Sequence, residues 1–415
     1  MRLILFLSII GLSGFISIAR PFYGLLVFTW LSYMRPQNLV WATEGWRFSY
    51  FIAIAVLVGT IVNFRSEKLF LKKSENYLLI ALWVTIGLST IFAMQFNLAF
   101  PKFLELSKIF LIAILTTGLV KSEKRFKYLC WVIALSFSFW ATKGAIWGML
   151  RGWRLSGPVL SMIEDNNDFA LALNMVLPFF LYLGLNEQIK WRKLFFYLQF
   201  PFIIIAIIYT YSRGGFIGLC VVLLLLLVKA KRKILSFTLL VIGIILFFNF
   251  VPQEYKDRIS TVQNYEEDSS AMGRINAWRV AINIGKARPL TGIGPQNFLQ
   301  AWSLFDTQGD RPHVAHNSYF QILADSGFIA LGLFLLLIYL CITKLRRIQK
   351  TIAVKQSTKC ILNYSHMLEV GIIGYMASGF FLSRADFDLF YQFVGMAVAL
   401  ERIAFSENKG NKGTK

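Results

Sequence analysis

A chain of 415 residues that is 56% hydrophobic and 16% charged, with positive mean hydropathy, does not read as a set of soluble domains; it reads as an integral membrane protein. Its net charge of +21, from 43 basic and 22 acidic residues, does not mark a nucleic-acid binder, because residues 252–318 hold seven basic and seven acidic side chains and the excess lies in short loops between apolar runs. Cys130, Cys220, Cys341 and Cys360 are widely spaced, and His313, His316 and His366 form no HxxxH or HExxH pattern, so neither a disulfide framework nor a metal site is expected.

A helical crossing of a bilayer takes ~20 apolar residues, a little fewer when flanking residues adapt. Candidate spans in chain order are residues 3–19, 22–34, 48–63, 77–93, 103–119, 128–150, 169–185, 195–211, 214–228, 234–251, 319–343, 361–382 and 387–404. The second is short, so the expected fold class is an all-α polytopic membrane protein of about 12–13 transmembrane helices. Residues 1–251 are expected to form an N-terminal bundle, 252–318 a long outward loop with amphipathic helices that covers the functional site as a lid, 319–405 the C-terminal helices and 406–415 a cytoplasmic tail. Residues 17–19, Ser-Ile-Ala, resemble a signal-peptide cleavage site. Cleavage there would invert every later loop, so residues 3–19 are expected to stay as an uncut span or half-span.

Lys/Arg-rich loops at 65–73, 121–127, 190–193, 229–233 and 344–359 alternate with loops that are neutral or nearly so. The positive-inside rule makes the basic set cytoplasmic and turns residues 35–47, 94–102, 151–168, 212–213, 251–318 and 383–386 outward.

The chemistry-bearing residues lie on that outward side. Asp165, Asn166 and Asp168 open a span, where each could be a helix cap or a ligand contact. Arg154 lies just before them. Arg213, in Tyr211-Ser212-Arg213-Gly214-Gly215, stands between two apolar runs. An arginine there pairs, faces an aqueous cavity or snorkels to the interface. Further on, Ser269-Ser270 can cap a helix in which Arg274 and Trp278, four apart, share a face with Ala281 and Ile282. Arg288-Pro289 and the glycines of Pro289-Leu290-Thr291-Gly292-Ile293-Gly294 break that helix. The segment closes on Arg311, His313, His316 and Asn317, and a histidine at the mouth of a span can act as a base or donor near neutral pH.

The Arg at a short outward turn, the Arg-x-x-x-Trp helix, the Pro-Leu-Thr-Gly-Ile-Gly turn, and His316-Asn317 followed after nine residues by Gly327 together resemble the O-antigen ligase/polymerase superfamily. Within it, Thr29 through Leu39 (TWLSYMRPQNL), Gly157-Pro158, Glu164-Asp165-Asn166-Asn167 and Tyr211-Ser212-Arg213-Gly214 look like the O-glycosylation ligases associated with exosortase A systems. The resemblance spans nearly the whole chain. It implies a GT-C-like glycosyltransferase that needs no metal or other cofactor. Such an enzyme moves a glycan, with inversion, from an undecaprenyl-diphosphate carrier to a lipid, polysaccharide or protein acceptor on the periplasmic side of the bacterial inner membrane.

On that resemblance His316, Arg213 and Arg274 are the expected catalytic residues: arginines fork onto the diphosphate and the histidine handles the acceptor proton. Arg154, Asp165, Asn166, Asp168, Arg311, His313, Asn317 and Arg384 are expected to contact substrate. The expected partners are the lipid-linked donor, the acceptor and membrane lipid. A repeat-unit polymerase would share this chemistry and differ in its acceptor. A transporter of lipid-linked glycan would show repeat symmetry and ionisable groups at mid-membrane, and the sequence has neither pattern.

Overall fold

The computed structural model describes residues 2–40, 43, 46, 48–234, 237–238, 241, 269–352 and 359–410. The expected span 234–251 lies almost wholly outside them, and residues 251–268 of the long segment and 411–415 of the tail lie outside them too.

The described residues are all-helical, with no strand among them: α1 (Arg2–Ala19), α2 (Pro21–Tyr33), α3 (Phe48–Val62), α4 (Ser74–Ile91), α5 (Phe96–Leu119), α6 (Glu123–Arg151), α7 (Asn166–Asn186), α8 (Lys190–Tyr209), α9 (Arg213–Lys229), α10 (Ser269–Ala287), α11 (Phe298–Phe305), α12 (Ser318–Ile352), α13 (Lys359–Gly379) and α14 (Asp388–Gly410). Seven of these, α1, α4, α6, α7, α8, α12 and α14, are long and apolar enough to cross a membrane. The protein is therefore a polytopic membrane protein. Helices α2, α3 and α9, with 13, 15 and 17 residues, fall short of the ~20 that a straight crossing needs. Helices α5 and α13 have the length, yet carry Lys102, Glu105 and Glu369, which are paired with other side chains.

Local chemistry sets the helix ends. Ser122 Oγ accepts from Arg125 N at the start of α6, and Gly152, at φ 65°, ends that helix in the left-handed region. Asp165 caps α7 through Asn167 N (2.8 Å), and Ser212 caps α9 through Gly215 N (3.0 Å). The basic residues 344–352, expected in a loop, continue α12 instead, because a helix end rich in Lys and Arg needs no break to reach water.

Helix α7 is buried on nearly every side, flanked by α6, α8, α9 and α13, and α14 is buried against α5, α12 and α13. A helix apolar all round belongs in the interior of such a bundle. By contrast, Phe15 is 80% exposed and α1, α3, α4 and α8 each present large apolar side chains outward, a surface suited to lipid.

Residues 269–317 are not a loose loop. Ala277, Val280, Ala281 and Ile284 of α10 form a separate small core with Ile293, Ala301, Trp302 and Ala315. Of the face expected to be shared, Ala281 enters that core, while Arg274, Trp278 and Ile282 are half-buried at its margin. At the opposite end of the bundle, buried glutamates are clamped by bases: Glu67 by Lys121 and Arg125, Glu187 by Lys127, Glu369 by Lys229 and Arg346, and Glu75 and Glu401 by Lys344.

Candidate active site

The site is organised by a break in α12. Gly327 has φ 79° and ψ −177°, so residues 318–326 form a short helix set off from the rest. Such a break strands backbone groups, which must find partners inside the protein at membrane depth. The turn after α10 supplies them. Phe328 N donates to Pro289 O (2.8 Å), Ile293 N to Ala324 O (3.0 Å) and Gly294 N to Asp325 O (2.9 Å). Ser89 Oγ of α4 also donates to Asp325 O (2.6 Å). A Cβ at Gly327 would stand 2.5 Å from Pro289 O, and one at Gly292 (φ 61°) 2.3 Å from Ala324 O. Only glycine allows this approach.

His316 lies at the mouth of that short helix with φ 44°, a conformation uncommon for a non-glycine residue and concentrated at functional sites. Both neighbours are pinned. Trp278 Nε1 of α10 donates to Ala315 O (3.0 Å). Asn317, fully buried, accepts from Tyr319 N (2.9 Å) and Phe320 N (3.1 Å) and donates to Phe380 O (2.9 Å). Burial, then the charges of Arg274 and His313, push the His316 imidazole down to about 4, with Asp165 opposing. It is neutral at physiological pH and able to accept a proton.

That electrostatic grouping brings together four residues expected at the site: His316, Arg274, His313 and Asp165. The His313 ring packs over the first turn of α10, 3.0 Å from where a Cβ on Gly273 would stand. Arg213 is the first residue of α9 and half-buried. Its neighbour Gly214 abuts Phe381, next to the Phe380 carbonyl that holds Asn317, so Arg213 and His316 share one end of the bundle. The glycines after Arg213 serve protein packing, since a Cβ on Gly215 would meet Ala170 of α7 at 2.5 Å. Arg154 donates to Asn166 Oδ1 (2.8 Å), and Asn166 in turn donates to Thr210 O (2.8 Å), tying the loop before α7 to the turn before α9.

Several residues expected to contact substrate, Arg154 and Asn166 above among them, have polar groups committed to the protein. Asn317 spends its amide as described, Asp165 Oδ1 caps α7, and buried Asp168 is paired with Arg384. Burial alone would depress the Arg384 guanidinium, but the bond to Asp168 and the charge of Asp386 hold it well above its ordinary value. Arg311 stays exposed on the segment before His316, apart from these contacts.

Sequence reasoning missed Lys102 and Asp386, which pair with each other and so brace Arg384 from behind; Arg384 Nη1 lies 4.0 Å from Asp386. The nearest signal was the short spacing from Arg384 to Asp386. A cavity of about 30 Å³, lined in part by Lys102, Gln321, Asp325 and Asp386, lies beside the broken helix. Among the described residues no group of three or more His, Cys, Asp or Glu converges as a metal site.

Residues 200–335 match the family described as O-Antigen ligase, and residues 1–171 match a family of unknown function (DUF5935). No curated protein matches the chain. The first match supports the O-antigen ligase/polymerase superfamily and an enzyme of ligase or glycosyltransferase type. It contains Arg213, Arg274, Arg311, His313, His316 and Asn317. Arg154, Asp165, Asn166 and Asp168 fall in the second match, and Arg384 in neither.

Proposed function

We propose that the protein transfers a glycan from undecaprenyl diphosphate to an acceptor hydroxyl or amine at the periplasmic face of the bacterial inner membrane. The observation that carries this reading is the neutral His316, held in the left-handed region beside the Arg274 charge, at the end of the bundle where Arg213 opens α9. The acceptor oxygen or nitrogen attacks the anomeric carbon while the bond from that carbon to the diphosphate oxygen breaks. The acceptor proton passes to His316. The diphosphate leaves with the electron pair, its charge met by Arg213 and Arg274.

Direct displacement inverts the sugar carbon and needs no covalent intermediate. The same diphosphate charge raises the affinity of His316 for a proton, so the base strengthens as the bond breaks. Asp165 and Asn317 position the constellation, and Arg154, Asn166 and the Asp168–Arg384 pair wall it. Arg311 and His313 are left for sugar or phosphate contacts from the covering segment. The closer likeness to exosortase-associated O-glycosylation ligases rests on the sequence motifs alone.

The test is made in membranes that carry lipid-linked glycan. His316→Ala and Arg213→Ala are expected to leave glycan on the carrier while folding normally. Normal transfer by both folded variants would remove the catalytic assignment. Deleting the gene separates ligase from polymerase: full-length chains stranded on carrier mark a ligase, single repeat units a polymerase.

A further inference from the structure

Residues 190–193, expected in a loop, form the first turn of α8, whose far end at Tyr209 leads into the turn before Arg213. That first turn therefore lies at the end of the bundle opposite the proposed site. Lys190, Arg192 and Lys193 stand there with no acidic residue among them, so they add to the positive end of the helix dipole. Such a placement destabilises the helix unless an anion answers it. The protein supplies aromatic rings instead. The Arg192 guanidinium lies over Trp131 of α6 (5.4 Å) and over Trp191 (5.2 Å), and the Lys193 ammonium over Tyr197 (5.9 Å). Glu187, buried beside them, is taken by Lys127. Among the described residues no carboxylate forms an ion pair with Lys190, Arg192 or Lys193.

This patch is open to its surroundings. Lys190 and Lys193 are exposed, Arg192 is half-buried and Trp191 is 66% exposed. On the same face of α8, toward the middle of the helix, Leu194 and Leu198 are 57% and 53% exposed. Cations and rings at the end of a helix long enough to cross a membrane, followed by bare aliphatic side chains, match a phospholipid in order of depth. Its phosphate meets the cations, and its acyl chains cover the leucines. The charge then selects among lipids. A zwitterionic headgroup brings an ammonium that these cations repel, whereas an anionic headgroup does not. A soluble anion would leave the leucines uncovered.

We infer that the start of α8, with α6 beside it, binds the headgroup of an anionic phospholipid. This binding is independent of the transfer reading. The full-length protein in detergent micelles is titrated with phosphatidylglycerol or phosphatidylcholine of the same acyl chains, and bound lipid is counted by native mass spectrometry. Wild type is expected to hold phosphatidylglycerol about tenfold or more tightly than phosphatidylcholine. The triple variant Lys190→Gln, Arg192→Gln, Lys193→Gln is expected to lose that preference. A charge-matched triple variant after α9, Lys231→Gln, Arg232→Gln, Lys233→Gln, is expected to keep it.

Equal retention of the two lipids by wild type would make the patch an ordinary interfacial belt, and equal losses in the two triple variants would make the attraction diffuse. Displacement of the lipid by millimolar inorganic phosphate would assign the patch to a soluble anion. Each of these results overturns the inference. If the first triple variant fails to fold, Arg192→Gln alone carries the comparison, with phosphatidylglycerol expected to bind about fivefold more weakly and phosphatidylcholine unchanged.

Discussion

At the scale of single residues, burial beside Arg274 and His313 decides how His316 titrates. Because its folded value is lowered to about 4, the imidazole stays neutral as pH falls from 7 through 6.5 and gains its proton only near 4. The free-enzyme kcat/KM is therefore expected to hold to about pH 5 and then fall, and an acid limb near 6.5 would contradict the environment described. Removing the neighbouring charge in Arg274→Gln should move protonation of His316 upward, read without turnover as the pH dependence of its carbethoxylation. A second residue-scale prediction concerns Asp168. Replacing it with Ala removes the closer partner of the mostly buried Arg384 guanidinium, leaving only Asp386 at 4.0 Å, and is expected to cost about 2 kcal/mol in thermal unfolding. The double variant with Arg384→Met should recover much of that loss, whereas two independent losses would mean the pair is not the unit.

At the scale of elements, the break in α12 links the covering segment to the bundle. Gly327→Ala places a Cβ against Pro289 O and demands φ 79° of an alanine, so it should expel the turn after α10. Faster hydrogen exchange at residues 289–294 with the far half of α12 unchanged is the expected signature, and uniform protection would argue that the turn is held elsewhere. Asn317→Ala should cost about 1 kcal/mol from the lost cap and loosen His316, lowering kcat more than it changes KM. Most of the described helices were legible in the sequence, because apolar runs of spanning length leave few alternatives at membrane depth. The break was not, since residues 319–343 read as one span despite Gln321 and Asp325, and Gly327 was marked only by its spacing from His316-Asn317. Arg213 stood out by its charge between two apolar runs, whereas Arg274 and His316, in the polar segment, were marked by the resemblance. The Asp168–Arg384 pair did not, because its partners are 216 positions apart and each was visible only as an isolated polar residue. The same holds for Lys102 and Asp386.

At the scale of the whole molecule, the two ends of the bundle use charge differently. One end neutralises buried glutamates with Lys and Arg from neighbouring helices, which fastens helix ends together; the other gathers Arg213, Arg274 and His316 where a covering segment with its own small core can close over them. Neither the covering segment nor the bundle completes the site alone. Under the proposed function, this combined site exchanges a carrier diphosphate for an acceptor. The most direct measurement gives purified protein in nanodiscs an undecaprenyl-diphosphate glycan and its acceptor, and follows both products. Undecaprenyl diphosphate released in step with acceptor-linked glycan of inverted configuration, and abolished by His316→Ala, is the result predicted. Glycan that remains on its carrier while the folded protein binds it, or a retained configuration at the sugar carbon, would contradict the account.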